Sequence, residues 1–300
     1  MLPSHKPAFY GINYKETLPS FLIQNFDGTL SVDSKIAPEH AGSKYQQIFD
    51  FGTSRQSLRG LIPQETRIIH NRLDLTILGL SHEFVNLQMT KITDIANDPN
   101  KSWKNAYDRR EYRETLGSVY LELAKQVKNM IDPNKPTLFF PPKNGGIFVE
   151  DQYRKVFTDI NSRFYDYRMS RIWIQGGYLM VGVNEGPNNP DIAKFKQFVI
   201  SDDCIASDVS VWGTLEMIKE KLSTANAPLN EIDIVIAVSA ATQAGIESLL
   251  SEETKADFGF KSIRAVVATL AHQMNEHYYL QHPDGRQVVG DMGSWTKPIE

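Results

Sequence analysis

Two adjacent carboxylates, Asp202 and Asp203, close an apolar run, Val199-Ile-Ser201, and a short segment from Cys204 to Asp208 separates them from a helical pattern that starts at Ser210. A carboxylate at the mouth of a buried strand gives up hydration, and an uncompensated charge there is costly. The pair is therefore expected to hold something. The bland alternative is an acidic cluster at a helix N-terminus, favoured by the helix dipole by about 0.3–1 kcal/mol. An apolar strand directly before the acids weighs towards a site instead. Other reactive types are sparse. Cys204 is the only cysteine, which excludes an internal disulfide and reads as a small strand-end residue. The seven histidines show no spacing of a zinc site.

The elements that must position these acids follow from the pattern of the chain. Residues 1 to 65 are irregular, with strand-like pieces such as Phe21-Leu-Ile-Gln24, and helical patterning begins near Arg67. Trp103 to Met130 predicts a helix, because Tyr112, Leu116, Val119, Leu123 and Val127 recur at three and four. Beyond Pro136, strands and helices alternate: strands at 137–140, 172–174, 178–183, 198–201, 232–238 and 263–270, and helices at 151–160, 210–222 and 242–250. Short continuous apolar strands between amphipathic helices predict an α/β fold, a mainly parallel sheet with helices on both faces. In such sheets the ligand lies beyond the carboxyl ends of the strands. That rule selects Pro141 to Gly146, Asp202 to Ser210, Ser239 to Ala244 and the C-terminal tail.

Composition narrows the function classes. With 41% hydrophobic and 23% charged residues and a formal charge of −4, no basic surplus argues for nucleic acid. The charge-dense run Asp108-Arg-Arg-Glu-Tyr-Arg-Glu114 mixes signs and reads as a solvated helix face. No apolar run reaches the roughly 18 residues of a membrane span, and Met1 to Pro7 has no apolar signal-like core. A soluble, cytoplasmic protein without membrane partners is expected.

Taken in order, four segments resemble the type I phosphoribosyltransferases, above all the uracil phosphoribosyltransferase branch. Glu111 to Leu121 is similar to the helix before the family's core, and Asp202 to Ser210 to its acidic strand end and phosphate loop. Ile236-Ala-Val-Ser-Ala-Ala-Thr-Gln-Ala-Gly-Ile-Glu247 resembles the next strand and turn, and Val289-Gly-Asp-Met-Gly-Ser294 the segment that closes the uracil pocket. The resemblance implies a phosphoribosyltransferase-like domain over 101–300, with 1–100 an N-terminal irregular and helical extension packed on it. It implies Asp202 and Asp203 as catalytic carboxylates near the ribose, with Asp202 also a ligand of Mg²⁺. Ser207, Ser210, Lys143 and Gly145 become phosphate-binding residues, and Val289, Gly290 and Asp291 base-binding ones. The ligand implied is a nucleotide or a donor like phosphoribosyl pyrophosphate (PRPP), the acceptor a uracil-like base, and the assembly a homo-oligomer. A receiver domain also places two acids after a strand. It needs a later strand ending in a phosphoacceptor aspartate, and Ile234-Val-Ile-Ala-Val-Ser239 ends without an acid.

The chain also departs from the family. Asp208 and Val209 stand where the phosphate loop has two glycines, Lys143 where the pyrophosphate loop has an arginine, Asn184 where a second arginine is usual, and Ser294 in place of a second acid. A carboxylate about 5 Å from a phosphate charge costs about 3 kcal/mol per charge pair at an effective dielectric near 20. These changes keep a second expectation open, a catalytically weakened homologue acting as a nucleotide-binding or protein-interaction module.

Overall fold

The computed structural model describes residues 73–141, 147–158, 161–165, 190–205, 209–274, 279–290 and 295, together with the backbones of the strands at Leu22–Gln24, Leu30–Val32, Lys44–Tyr45, Ile48–Thr53, Tyr167–Ile174 and Gly177–Asn184. The first four of these strands are β1 to β4 in that order. Then follow β5 (Leu75–Ile77), α1 (Leu78–Ser81), α2 (Glu83–Asn97), α3 (Ala106–Met130), β6 (Thr137–Phe140), α4 (Ile147–Val156) and β7 (Ser162–Phe164). The strands Tyr167–Ile174 and Gly177–Asn184 are β8 and β9, and β10 (Gln197–Ile205), α5 (Val209–Thr224) and β11 (Asp233–Thr242) come next. The described elements close with α6 (Gln243–Leu249), α7 (Glu252–Phe258), β12 (Ser262–Ala271), β13 (Gln273–Met274) and β14 (Leu280–Gln281).

Six strands form one sheet in the order β5-β12-β11-β10-β6-β7, and every neighbouring pair is parallel. Helices cover both faces, as the alternation in the sequence predicts. Leu138, Phe198, Ile234, Ile236 and Ile263 point into a core completed by α5, α6 and α7. Phe139, Val199, Val235, Ala237 and Val266 point the other way, against α2, α3 and α4. Burial on both faces explains why the central strand β11 is buried along its whole length and why, after Asp233, its sequence is a run of apolar and small residues.

Helix α3 carries much of the second core. Asn105 caps it, its side chain accepting from the Tyr107 amide at 2.9 Å. Tyr112, Leu116, Val119, Tyr120, Leu123 and Val127 are fully buried, which is the predicted face with Tyr120 added. The run from Asp108 to Glu114 is less solvated than its charges suggest. Asp108 is buried and accepts from the Ser102 amide at 3.0 Å, while Glu111 pairs with Lys101 and, at 3.2 Å, with Lys91.

Two strands predicted around Gly176-Gly177 lie outside the main sheet. β8 pairs antiparallel with β9, and β9 pairs antiparallel with β4 on its other side, in a separate three-stranded sheet. Two residues separate β8 from β9, and a parallel crossover needs a dozen or more. Strand β5 and helix α2, both before residue 100, belong to the main sheet and its covering layer. α4 begins at Ile147 rather than near Asp151, and the helical start expected near Arg67 lies outside the described residues.

Candidate functional site

β10 ends in the acid pair, and its neighbours place that end at the carboxyl edge of the sheet. Ile200 pairs with Phe140, the last residue of β6, so the chain leaves the sheet at Pro141 beside Ser201. The segment 141–146 and the acid pair therefore start from the same edge. α5 begins at Val209, only four residues after β10 ends. Val209, at one of the family's glycine positions, is the first residue of that helix. Lys143, Gly145, Ser207, Asp208 and Asp291 lie outside the described residues.

The two carboxylates have different surroundings. Asp202 accepts from the Ser210 hydroxyl in the first turn of α5 and, through its other oxygen, from the Asp203 amide at 2.8 Å. Burial pushes its pKa up, against the pull of those two donors. Asp203 has no such relief: its Oδ1 is sealed from solvent with no hydrogen-bond partner among the described residues. Burial, and then the neighbouring Asp202 charge, push its pKa up to about 7.

Side chains from distant parts of the chain hold the backbone of the pair. The Tyr120 hydroxyl of α3 donates to the Asp202 carbonyl at 2.9 Å and lies 3.3 Å from the Asp203 carbonyl. Ser239, fully buried in β11, donates to the Asp203 carbonyl at 2.7 Å. Burial, then the Asp203 charge, raise the Tyr120 pKa well above its ordinary value, and a bond to Ser239 opposes them. The hydroxyls of Ser201 and Tyr153 are buried on the same side of the sheet and engage each other: burial raises the Tyr153 pKa and a bond to Ser201 opposes it.

The C-terminal candidates also rest on α3. Val289 is buried, and its carbonyl accepts from the Tyr112 hydroxyl at 2.5 Å. Trp295 stacks on Tyr112 with ring centroids 5.1 Å apart. Gly290 has φ of 66°, and a Cβ there would approach Ala96 to 2.9 Å, so this bend suits glycine alone. Thr93 donates to the Val288 carbonyl at 2.9 Å and Asn97 to the Gln287 carbonyl at 2.8 Å, fastening the segment to α2. Tyr112 and Tyr120 stand eight residues apart on one buried helix, about 12 Å along its axis, so α3 holds both sets of carbonyls. The structure thus brings Asp202, Asp203, Ser210, Val289 and Gly290 onto one frame. Val289 contributes backbone there, since its side chain is in the core.

Tyr112 and Tyr120 have no place among the site residues expected from sequence, and Ser239 entered there only as the first residue of a strand-end segment, with no role assigned. Their one signal is a hydroxyl on an otherwise apolar buried face, which calls for a partner. Trp212 is buried in the core against Phe258, at 4.9 Å between centroids.

No protein-family model and no curated protein matches the chain. Among solved structures, it is similar to the AQ2163 protein from Aquifex aeolicus at 14% identity, over 75% of this chain and 99% of that one, with a TM-score of 0.52. The two share a fold. The adenine phosphoribosyltransferase from Leishmania donovani is similar at 12% identity, over 68% of this chain and 86% of that one, with a TM-score of 0.41. The adenine phosphoribosyltransferase from Trypanosoma brucei, in complex with AMP, pyrophosphate and ribose-5-phosphate, is similar at 11% identity over 63% and 82%, with a TM-score of 0.40. Both of these are named for a purine base. No helix among the described residues is long and apolar enough to cross a membrane.

Proposed function

We propose that the chain binds a PRPP-like donor with Mg²⁺ at the carboxyl edge of the sheet and transfers the phosphoribosyl group to a uracil-like base, as a homo-oligomer in the cytoplasm. The observation that carries this reading is the acid pair at the end of β10, between the departing segment 141–146 and the start of α5. Breaking the bond from ribose C1 to pyrophosphate develops positive charge at C1, and fixed carboxylates aimed at it lower the barrier. Asp202 and Asp203 take that role and bind the ribose hydroxyls. Ser207, Ser210 and the first amides of α5 take the 5-phosphate, Lys143 and Gly145 the pyrophosphate, and Val289, Gly290 and Asp291 the base.

A Mg²⁺ ion that arrives on the pyrophosphate needs only one or two protein carboxylates, because phosphate oxygens and water complete its shell. Asp202 suits this: each of its oxygens accepts one hydrogen bond and keeps a second lone pair. Among the described residues no group of three or more metal-binding side chains forms a dedicated cage. When bound, the ion neutralises charge on the leaving pyrophosphate.

The internal engagement of the same acids favours a second reading, a catalytically weakened homologue that binds a nucleotide or a protein partner. Ser210 already donates to Asp202, and one oxygen of Asp203 is sealed away. Calorimetry with Mg-PRPP, followed by a screen of nucleobases for pyrophosphate release, separates the two. Binding with release supports the transferase, binding without release the weakened homologue, and no binding at millimolar donor removes the transferase.

A further inference from the structure

We propose that Tyr120 and Ser239 are positioning residues for the acid pair: their hydroxyls hold a coordinated break in the pleat of β10 and β11 that sends Asp202 and Asp203 into different surroundings. The break itself is geometry. Its consequence for donor binding rests on the transferase reading.

Side chains of a strand alternate between faces. In β10, Phe198 and Ile200 face α5 and Val199 faces α3, yet four residues on Cys204 packs towards α3 and Ile205 towards α5. The parity has reversed. β11 reverses at the same level: Ile234, Ile236 and Val238 face α5, while Ala240 faces α3 and Ala241 faces α5. The register survives on both sides of the reversal, with Asp202 opposite Val238 and Cys204 opposite Ala240. β12 reverses as well, with Val267 facing α5 and Ala268 facing α3 but Leu270 packing towards α5 and Ala271 towards α3, so the three strands bend together, and Asp203 and Ser239 are the residues at the bend in β10 and β11.

A bend of this kind leaves backbone groups without their usual ladder partners, and a buried carbonyl in that position costs free energy unless a donor reaches it. The problem is sharper because β6 ends opposite Ile200, so β10 runs on past its neighbour. Tyr120 reaches in from α3 to the carbonyls of both acids, and Ser239 donates across the strand to that of Asp203. Successive carbonyls of a regular strand point to opposite sides, so one hydroxyl serving two of them marks the distortion. The outcome is the split: Asp202 turns to Ser210 on α5, while Asp203 keeps one oxygen sealed.

The test uses the full chain with Tyr120→Phe, Ser239→Ala and the double variant, and Val127→Ala on the same helix as a control for lost stability. Crystal structures read the faces of Asp203, Cys204 and Ala240, and calorimetry reads Mg-PRPP affinity. The double variant is expected to lose the parity reversal and to bind the donor about ten-fold or more weakly. Val127→Ala is expected to lower the melting temperature and leave affinity unchanged. An intact reversal in the double variant overturns the inference, as does an affinity that follows melting temperature across all four variants. If the wild type binds no donor, the transferase reading falls, and the fate of the reversal alone decides the inference. If the double variant does not fold, Ser239→Ala, which keeps Tyr120, is read by the same two criteria.

Discussion

Asp203→Asn exchanges the least compensated charge of the site for a neutral side chain of nearly the same shape. Asp203 has its pKa pushed from 3.8 to about 7 by burial and by Asp202. A carboxyl whose pKa is higher folded than unfolded makes folding take up a proton, so stability is greatest on the acid side. It declines as pH rises through the window between the two values and levels off above about 7. Three pKa units correspond to about 4 kcal/mol at 1.36 kcal/mol each. Asn resembles the protonated acid, so at pH 4 variant and wild type should unfold at the same urea concentration. At pH 8 the variant should be the more stable by up to about 4 kcal/mol. Urea unfolding across pH 4 to 8, compared as the difference between the two proteins, removes the contributions of groups that do not interact with Asp203. A difference independent of pH, or a wild type more stable at pH 8, refutes the argument that Asp203 is ionised against the preference of the fold.

On the transferase proposal, Asp208→Gly removes a carboxylate beside the proposed phosphate site; at about 3 kcal/mol per charge pair, Mg-PRPP affinity should rise by one to two orders of magnitude. Weaker binding on calorimetry would mean that Asp208 holds the ligand. Tyr112→Phe strips the buried Val289 carbonyl of its donor and should cost about 1–3 kcal/mol, seen in denaturant midpoints. Gly290→Ala meets both a positive φ and the Ala96 side chain, so it should lower stability by more than about 1 kcal/mol and shift the fluorescence of neighbouring Trp295. Unchanged stability in either variant would show that the C-terminal segment is not fastened to α2 and α3.

The transferase resemblance was visible because its parts are local. An acid pair after an apolar strand, with a short loop and a helix behind it, can be read within some sixteen residues, and β10 and α5 stand where that pattern puts them. Tyr120 lies 82 residues from Asp202 and Ser239 lies 36 from Asp203, so no local pattern links them to the acids. The short strand β5 escaped for a related reason, since three residues carry too little periodicity to register. The antiparallel pairing of β8 with β9 follows from the two residues between them, whereas their joining with β4 depends on contacts across more than a hundred residues.

By itself the sequence determined the layered α/β architecture, because burial on both faces leaves its mark in the central strands and in the helices that cover them. It also determined which strand ends carry ionisable groups. Only the tertiary structure decided that two neighbouring aspartates are unequal. Charge and side-chain type are the same at both positions, and what separates them is which hydroxyls from α3, α5 and β11 arrive at their oxygens and carbonyls once the chain is folded.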